Sequence, residues 1–391
     1  MAASNDVSGD GEFATSPNLA LAKHLDTIAS YYTLERESSD RYRAKTFSDA
    51  ARLIAEYPFA FTSGENVQEI IPRIGPSSVE VINEFIKSGE SSRLTNLEMK
   101  HKDRKEIIDV FLQVYGIGPR LANKFYDLGF RSLLDLWYGV PLSLAENFNL
   151  VVENLIETAD ELCILDSETL DKGIENTLTE EELTEIFYSV LKALADKSKY
   201  RFPQLTSAQR IGLEHFDDLK LRIPRNEIDE IKQKISDNIP ENVLWEITGS
   251  YRRNELESGD IDLLLKSNTV NLSFIIAKLV KSGLIIGELA RGASKFMGIA
   301  RLNSETPARR IDILVVPETS WAYALFYFTG SARFNVLVRQ RAIKMGYRLN
   351  EYGMTNSQGF SFLASTEEEI FEHLNMEYLT PEERSRNIPS L

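Results

Sequence analysis

Two aspartates spaced two positions apart are the residues of this chain best suited to chemistry. Asp260 and Asp262 belong to the run DIDLLL at 260–265. Side chains at positions i and i+2 of a strand project from the same face, so the two carboxylates would stand side by side. Carboxylates this close repel each other unless a cation lies between them, and their oxygens suit Mg²⁺. The spacing therefore predicts a strand that carries a magnesium site.

A third aspartate, Asp312, lies in a second apolar run, RRIDILVV at 309–316. If this run pairs beside the first, Asp312 completes a three-carboxylate cluster able to hold two metal ions about 4 Å apart. The run GSYRR at 249–253 reads as a turn whose backbone N–H groups and arginines can bind phosphates. An isolated Asp-x-Asp is usually a solvated turn or strand edge. Its combination with this turn indicates nucleotidyl transfer.

Several apolar runs are expected to form the elements that position these residues. Strands are predicted around a helix near 271–282, and the segment after 317 is mixed, with a strand-like 347–352 and a helix near 366–374. The predicted strands are 243–247, 261–265, 296–302 and 311–316.

The N-terminal half has helical spacing instead. Residues 17–93 predict one helical module, and a second begins near 94 and contains Gly116-Ile117-Gly118-Pro119-Arg120. Gly-x-Gly between two helices predicts a tight hairpin whose N–H groups face a phosphate, and the alternative is an ordinary glycine helix end. A degenerate copy at 71–76 has Arg73 where a glycine is wanted, and here the two readings are evenly balanced.

The charge is uneven along the chain. The formal net charge is −15, yet residues 141–200 alone hold 14 Asp and Glu against four Lys. The rest is mildly acidic and permits a local basic groove for nucleic acid. A single cysteine, Cys163, and four scattered histidines argue against a disulfide, a cysteine zinc site or histidine chemistry. No apolar run is long enough to span a membrane, and the tail at 1–16 reads as disordered, without a targeting signal.

Together these motifs resemble a family X DNA polymerase, most closely the DNA polymerase beta and lambda type. The likeness runs from about 17 to 385 and is interrupted by the acidic block 138–203. The motifs fall in the family's order at 116–119, 209–213, 222–225, 249–262, 295–298, 310–312, 327–331 and 350–352.

The resemblance implies an α+β multidomain fold. A nucleotidyltransferase palm with an antiparallel or mixed sheet would be preceded by two all-helical helix-hairpin-helix modules. The implied divisions are a disordered tail at 1–16, an N-terminal helical, lyase-like domain at 17–93, a helix-hairpin-helix DNA-binding subdomain at 94–222 with an acidic helical insertion at 138–203, a catalytic palm at 223–316 and a nucleotide-selection subdomain at 317–391.

The resemblance also implies roles for individual residues. Asp260 and Asp262 would bridge two Mg²⁺ ions, with Mn²⁺ as an alternative, and Asp312 would hold the catalytic ion near the primer 3′-OH. Positions that bind the incoming nucleotide in the family are Arg222, Gly249, Ser250, Arg253, Ser258, Gly259, Tyr327, Phe328, Gly330 and Asn335. Positions that contact DNA are Gly116, Gly118, Arg120, Lys295, Arg310, Arg339 and Tyr352. The implied partners are gapped or nicked DNA and deoxynucleoside triphosphates. The family also suggests a monomer and a monovalent cation at the hairpin.

Some positions depart from the family pattern. Asn254 stands where glycine is usual, and Asn tolerates the left-handed backbone better than other non-glycine residues. Ala332 and Val336 replace polar residues, which puts base-stacking contacts in doubt. The family's lyase needs a lysine amine as nucleophile, and alignment of the N-terminal module places that position at Val81. Lyase activity is therefore expected to be lost.

The function so implied is template-directed gap filling in DNA repair, in the nucleus, with a viral or organellar origin left open. The Tyr327-Phe328 pair favours deoxynucleotides, because an aromatic segment there would clash with a ribose 2′-OH; the alternative is a pair that belongs to a helix-side core. Rival functions are a terminal transferase or poly(A)-polymerase-like nucleotidyltransferase, or a DNA-binding scaffold without activity. The insertion 138–203 would pack on its own module, with a protein partner as the alternative.

Overall fold

A computed structural model describes residues 17–35, 38–57, 59–71, 74–174, 177–268 and 271–386. The predicted disordered tail at 1–16 and the degenerate hairpin positions Pro72 and Arg73 lie outside these residues. The chain forms two compact units. The first comprises the residues up to 113 together with 117–203, and the second comprises 114–116 and the residues from 204 onward.

The described secondary structure of the first unit is helical. The helices are α1 (Leu19–Tyr32), α2 (Ser38–Glu56), α3 (Gly64–Ile70), α4 (Pro76–Ser88), α5 (Ser92–Leu112), α6 (Pro119–Asp127), α7 (Leu133–Tyr138), α8 (Leu155–Glu161), α9 (Ser167–Ile174) and α10 (Glu180–Lys197), with 3-10 turns at Leu142–Phe148 and Val152–Asn154. Side chains satisfy orphan N–H groups at several starts. Thr179 and Glu182, for example, form a reciprocal capping box at the start of α10.

The acidic block 138–203 is a helical part of this unit with its own apolar core. Its buried side chains include Leu144, Leu155, Val190 and Leu191. The prediction that these apolar faces pack within their own module is confirmed. The block is also attached to α7, because the Tyr188 hydroxyl donates a 2.7 Å hydrogen bond to Asp135.

The second unit contains the strands. Its elements are α11 (Ser207–Glu214), β1 (Ile223–Pro224), α12 (Arg225–Ser236), β2 (Leu244–Ile247), α13 (Gly249–Arg252), β3 (Glu257–Ser258), β4 (Ile261–Lys266), α14 (Leu272–Lys281), β5 (Ile285–Arg291), β6 (Lys295–Ala300), β7 (Arg309–Val316), α15 (Trp321–Thr329), α16 (Ala332–Lys344), β8 (Tyr347–Asn350), β9 (Gly353–Asn356), β10 (Ser361–Phe362), α17 (Glu367–His373) and α18 (Glu383–Arg386).

The central sheet has the strand order β2-β4-β7-β6-β5. The β4–β7 pair is parallel and the other pairs are antiparallel, so the sheet is mixed, which confirms the predicted α+β fold class. The apolar faces of α12 and α14 pack on it in one core. Strand β5 was not anticipated: it lies at the sheet edge, and its alternate residues are partly exposed.

A smaller layer follows the central sheet. Strands β8, β9 and β10 form an antiparallel sheet in the order β10-β9-β8. Its residues share a core with α15, α16 and α17 that includes Phe326, Phe334 and Phe371. This layer holds the aromatic segment 327–331 beside the central sheet, because α15 packs on β4 and β7 through Ala324.

Candidate active site

The pairing of β4 with β7 sets the geometry of the acidic cluster. The two strands run parallel with Asp262 directly opposite Asp312, and Ile261 opposite Ile311. The expectation that the two aspartate-bearing runs lie side by side is therefore confirmed. Parallel neighbours in register keep their side chains on one face, so both carboxylates point the same way.

Two cations offset the negative charge of this cluster. Arg310, two positions before Asp312, forms an ion pair with Asp260. Lys295 Nζ lies 3.7 Å from Asp312 Oδ2, and Arg310 Nε lies 3.8 Å from Asp312 Oδ1. Register explains the first pair, because the residue before Ile261 falls opposite the residue before Ile311. Asp260 thus lies opposite Arg310, and two positions further along Asp262 lies opposite Asp312.

Burial makes the charged forms of two carboxyls costly. The pKa of Asp262 is raised well above its usual range, first by burial and then by the negative charges of Asp260 and Asp312. Burial likewise raises the pKa of Asp312, against the lowering effect of Arg310 and Lys295. A bound cation would offset this cost.

The cluster fits a divalent metal in its donor chemistry. Asp312 Oδ1 is buried and accepts no hydrogen bond in the described structure, which leaves an oxygen ligand unused. Gly249 approaches closely: a Cβ there would lie 2.5 Å from Asp262 Oδ2. Across the described ranges, however, no three His, Cys, Asp or Glu side chains converge into a ready-made metal site. Asp260 instead forms its ion pair with Arg310.

The segment 249–253, predicted as a turn, forms the short helix α13 (Gly249–Arg252) and its C-cap residue Arg253. Gly249 takes φ +60°, and the N–H of the preceding Thr248 donates to the Asp262 carbonyl, which fixes the turn against β4. Arg253 donates from Nη1 to the Thr329 carbonyl at 2.8 Å. Asn254 has φ +60°, the left-handed backbone that Asn was expected to tolerate.

Strands β1 and β3 bring further predicted nucleotide-binding positions together. Ile223 pairs with Ser258, and exposed Arg222 donates from Nη2 to the Glu257 carbonyl at 3.0 Å. A Cβ on Gly259 would lie 3.1 Å from Arg222 Nη1, so these two residues are neighbours. Ser258 is only 1% exposed. Half-buried Ser250 is in α13.

The aromatic segment borders the acidic cluster. The half-buried residues Phe328, Asp262 and Asp312 line one cleft. Tyr327 faces a different pocket: its carbonyl accepts a 2.8 Å hydrogen bond from Asn335 Nδ2, and Arg339 lies 4.7 Å from its ring centre. Gly330 ends α15 with φ +70°.

The remaining DNA positions fall in both units. In the first, Gly118 caps α6, whose exposed Arg120 lies in the first turn. In the second, Gly116 takes φ +76° and its carbonyl accepts from Gln209 at 2.7 Å. Tyr352, in the turn between β8 and β9, is 53% exposed.

The structure adds a group that motif spacing did not indicate. Arg252 pairs with Glu367 at 2.6 Å, and Glu367 pairs with the fully buried Arg384 at 2.7 Å. Ser385 accepts a 2.9 Å hydrogen bond from Arg253 Nε. The acids and arginines of the last two helices are ordinary surface residue types in sequence, so only folding reveals this group.

Comparison with protein-family models adds an independent observation. The DNA polymerase beta palm matches residues 222–318 and the DNA polymerase beta thumb matches 324–385. A helix-hairpin-helix domain matches 16–91, and the fingers domain of DNA polymerase lambda matches 109–148. Along the chain, the first two of these regions in sequence fall in the helical part, the palm covers the central sheet, and the thumb covers the smaller sheet and its helices. The chain belongs to the family X DNA polymerases.

Relatives of this family X chain include DNA polymerase lambda of Rattus norvegicus, 26% identical over 95% of the chain, and of Arabidopsis thaliana, 25% identical over 88%. The DNA-directed DNA/RNA polymerase mu of Homo sapiens is 23% identical over 95%. The chain spans 57% and 58% of the two lambda relatives and 70% of the mu relative.

Proposed function

We propose that this family X chain is a template-directed DNA polymerase that fills short gaps during DNA repair. One observation carries the proposal: Asp262 and Asp312 share a register position on neighbouring strands, and Gly249 of the phosphate-binding turn lies against Asp262. The carboxylates that would bind metal and the turn that would bind phosphate therefore lie next to each other. This is the arrangement that nucleotidyl transfer requires.

Asp260, Asp262 and Asp312 would hold Mg²⁺, with Mn²⁺ as an alternative. Bound there, the ions would supply positive charge that lowers the pKa of the primer hydroxyl and neutralises the departing pyrophosphate. Arg253 and Arg222 would bind the triphosphate through planar two-pronged contacts, with Ser250, Ser258 and Gly259 beside them.

Sugar, base and template would be selected by the aromatic segment and α16. Tyr327, Phe328 and Gly330 would exclude a ribose 2′-OH, and Asn335 would contact the minor groove of the new pair. Arg339, Arg310, Lys295 and Tyr352 would contact DNA near the nascent pair, and Gly116, Gly118 and Arg120 would grip the backbone. The substrates would be gapped or nicked DNA and deoxynucleoside triphosphates.

Further predictions attach to the same proposal. The protein would act as a monomer in the nucleus, and no described helix is long and apolar enough to cross a membrane. A monovalent cation at the hairpin stays a prediction. Lyase activity would be lost, because the nucleophile position is Val81, which is 2% exposed in α4.

The test is primer extension on one-nucleotide-gapped DNA with Mg²⁺, using deoxynucleotides or ribonucleotides. We expect templated addition of deoxynucleotides that Asp262→Asn abolishes and the exposed control Glu241→Gln leaves intact. Addition without a template would indicate a terminal transferase, and extension of RNA a poly(A)-polymerase-like enzyme. DNA binding without any addition would indicate a scaffold. Each of these three results would refute the proposal.

A further inference from the structure

We propose that Ser385, in the C-terminal helix α18, is a positioning residue for Arg253, so that the end of the chain orients the arginine that binds the triphosphate. This inference rests on the proposed function. It assigns a role to a segment, 380–386, that contributes no carboxylate to the cluster and no residue to the phosphate-binding turn.

Arg253 is held from two directions. Its Nε donates to Ser385 Oγ at 2.9 Å, and its Nη1 donates to the Thr329 carbonyl at 2.8 Å. Thr329 is the last residue of α15, the helix that carries the aromatic segment. The guanidinium therefore joins the phosphate-binding turn, the sugar-side segment and the C-terminal helix.

The segment that carries Ser385 is itself anchored. The neighbouring Arg384 is fully buried and pairs with Glu367 at 2.7 Å. Its guanidinium lies 5.2–5.3 Å from the ring centres of Phe326, Phe334 and Phe371. A buried arginine with a charged partner and aromatic neighbours resists displacement, because its release would leave Glu367 buried without that partner.

A second hydrogen bond joins the segment 380–386 to the aromatic segment 327–331. Ser331 Oγ donates to the Arg384 carbonyl at 3.0 Å. Thr380 and Glu383 exchange capping hydrogen bonds at the start of α18. The residues just before Ser385 in this segment are thus held, and the Ser385 hydroxyl is presented to Arg253 in a set place.

This geometry favours phosphate binding for an entropic reason. An arginine side chain loses rotamer freedom when it binds a ligand, and that loss weakens binding. Hydrogen bonds at Nε and Nη1 orient the guanidinium plane before a nucleotide arrives. Loss of the Ser385 bond should therefore weaken nucleotide affinity more than turnover.

The experiment compares Ser385→Ala, Ser385→Thr and Ser385→Asp in the full chain. Binding of the complementary deoxynucleoside triphosphate with Mg²⁺ is measured by calorimetry on gapped DNA whose primer ends in a dideoxynucleotide, so that no turnover occurs. KM, kcat and the midpoint of thermal unfolding are measured in parallel on extendable primers. Ser357→Ala, at an exposed serine between β9 and β10, is the matched control.

We expect Ser385→Ala to weaken nucleotide binding about five- to tenfold, the net effect of one ordinary hydrogen bond, because the bond acts on the nucleotide only through Arg253, with kcat changed less than about twofold. Ser385→Thr keeps the hydroxyl and should restore affinity. Ser385→Asp should weaken binding further, because a carboxylate on Arg253 competes with phosphate. DNA affinity, the unfolding midpoint and the Ser357→Ala control should match the unsubstituted protein.

Unchanged nucleotide affinity in Ser385→Ala, in a protein that extends primers, would overturn this inference and leave the proposed function standing. So would equal loss in Ser385→Thr, or a loss that follows a lowered unfolding midpoint in all three variants. An unsubstituted protein that binds nucleotide without extending primers would refute the proposed function, while the binding comparison still decides the role of Ser385. Absence of nucleotide binding would refute both.

Discussion

At the scale of single residues, the acidic cluster combines two half-buried carboxylates with two nearby cations. Asp262 faces Asp312 across the strand pair, and Arg310 and Lys295 lie within ion-pair distance of Asp312. Such a cluster is unfavourable for folding, because burial and like charge both penalise the ionised carboxyls. Strain of this kind is typical of sites arranged for a ligand, since natural proteins retain it where function needs it.

The first prediction concerns Asp312. In Asp312→Asn, primer extension should fall by at least about a thousandfold, because the proposed ligand of the metal that would act on the primer hydroxyl is gone. Gapped-DNA affinity should persist, and the unfolding midpoint without Mg²⁺ should be equal or higher, because a buried charge is removed. The rise in midpoint that Mg²⁺ causes should shrink. Extension close to that of the exposed control Glu241→Gln would show that the cluster is misassigned.

The second prediction concerns His24 in α1. Its Nε2 shares a 2.8 Å hydrogen bond with Ser91 Oγ, and burial lowers its pKa, against a raising effect of Glu90. The unfolded chain then binds more protons than the folded one, so stability is fully present above about pH 6.5 and decreases as the pH falls below it. Chemical unfolding followed from pH 7.5 to 5.5 should show this loss.

His24→Gln should flatten this pH dependence, while His215→Gln in the second unit should retain it. An identical pH slope in His24→Gln and the unsubstituted protein would contradict the assignment.

At the scale of elements, helices α4 and α10 each lead to a prediction that can be tested directly. Helix α4 carries Val81, the position predicted to correspond to the family's lyase nucleophile, and α10 ties the acidic block to α7 through Tyr188. Val81 and Tyr188 both lie on the buried face of their helix, and burial shifts the pKa of an ionisable group at such a position.

The third prediction is that borohydride reduction with an incised abasic site gives no covalent adduct with the unsubstituted protein. Val81→Lys should restore some adduct, because the buried position would lower the pKa of the amine and keep part of it neutral for Schiff-base formation. Val81→Met, of similar length without an amine, is the control for folding. A strong adduct with the unsubstituted protein would point to another lysine, with exposed Lys45 the first to test.

The fourth prediction concerns Tyr188, whose hydroxyl bonds to the buried carboxylate of Asp135. Burial first, and then this hydrogen bond, raise the pKa of Tyr188. Tyr188→Phe should lower the unfolding free energy by about 1–3 kcal/mol, because the buried acceptor loses a donor. The partly exposed Tyr200→Phe should change it by less than about 0.5 kcal/mol. Denaturant unfolding measures both, and equal effects would argue that the Tyr188 bond contributes nothing.

At the scale of the whole molecule, the chain consists of two compact units with different contents. The first is helical in its described residues and contains the acidic block, and the second holds the sheets and the carboxylates. Net charge therefore says little about the site, since a block with 14 acidic residues against four lysines accounts for most of the −15.

The fifth prediction is that heat unfolding proceeds in two steps, because each unit has its own core. Asp312→Asn should shift only the step of the second unit, and Tyr188→Phe only that of the first. Scanning calorimetry on the full chain separates the two. One cooperative step that both substitutions shift alike would show that the units unfold together.

The sequence by itself determined the features that depend on neighbours along the chain. The apolar run that carries Asp262 was correctly predicted as a strand, although the strand begins one residue after Asp260. The motifs at 249–253 and 327–331 identified the family. Local periodicity decides these features, because backbone geometry repeats every two or 3.6 residues.

Which distant residues meet depends on the packing of the folded chain. The register that sets Asp262 against Asp312, and thereby Arg310 against Asp260, depends on the packing of strands about 50 residues apart in sequence. The contact of Arg253 with Ser385, 132 residues away, has no local signature at all. Strand β5 also escaped prediction, because only Ile285 and Leu289 of its residues are buried, too few to form an apolar run in the sequence. Which residues meet over long sequence separations depends on how the cores pack and how the charges pair in the whole fold. A short stretch of sequence does not contain that information.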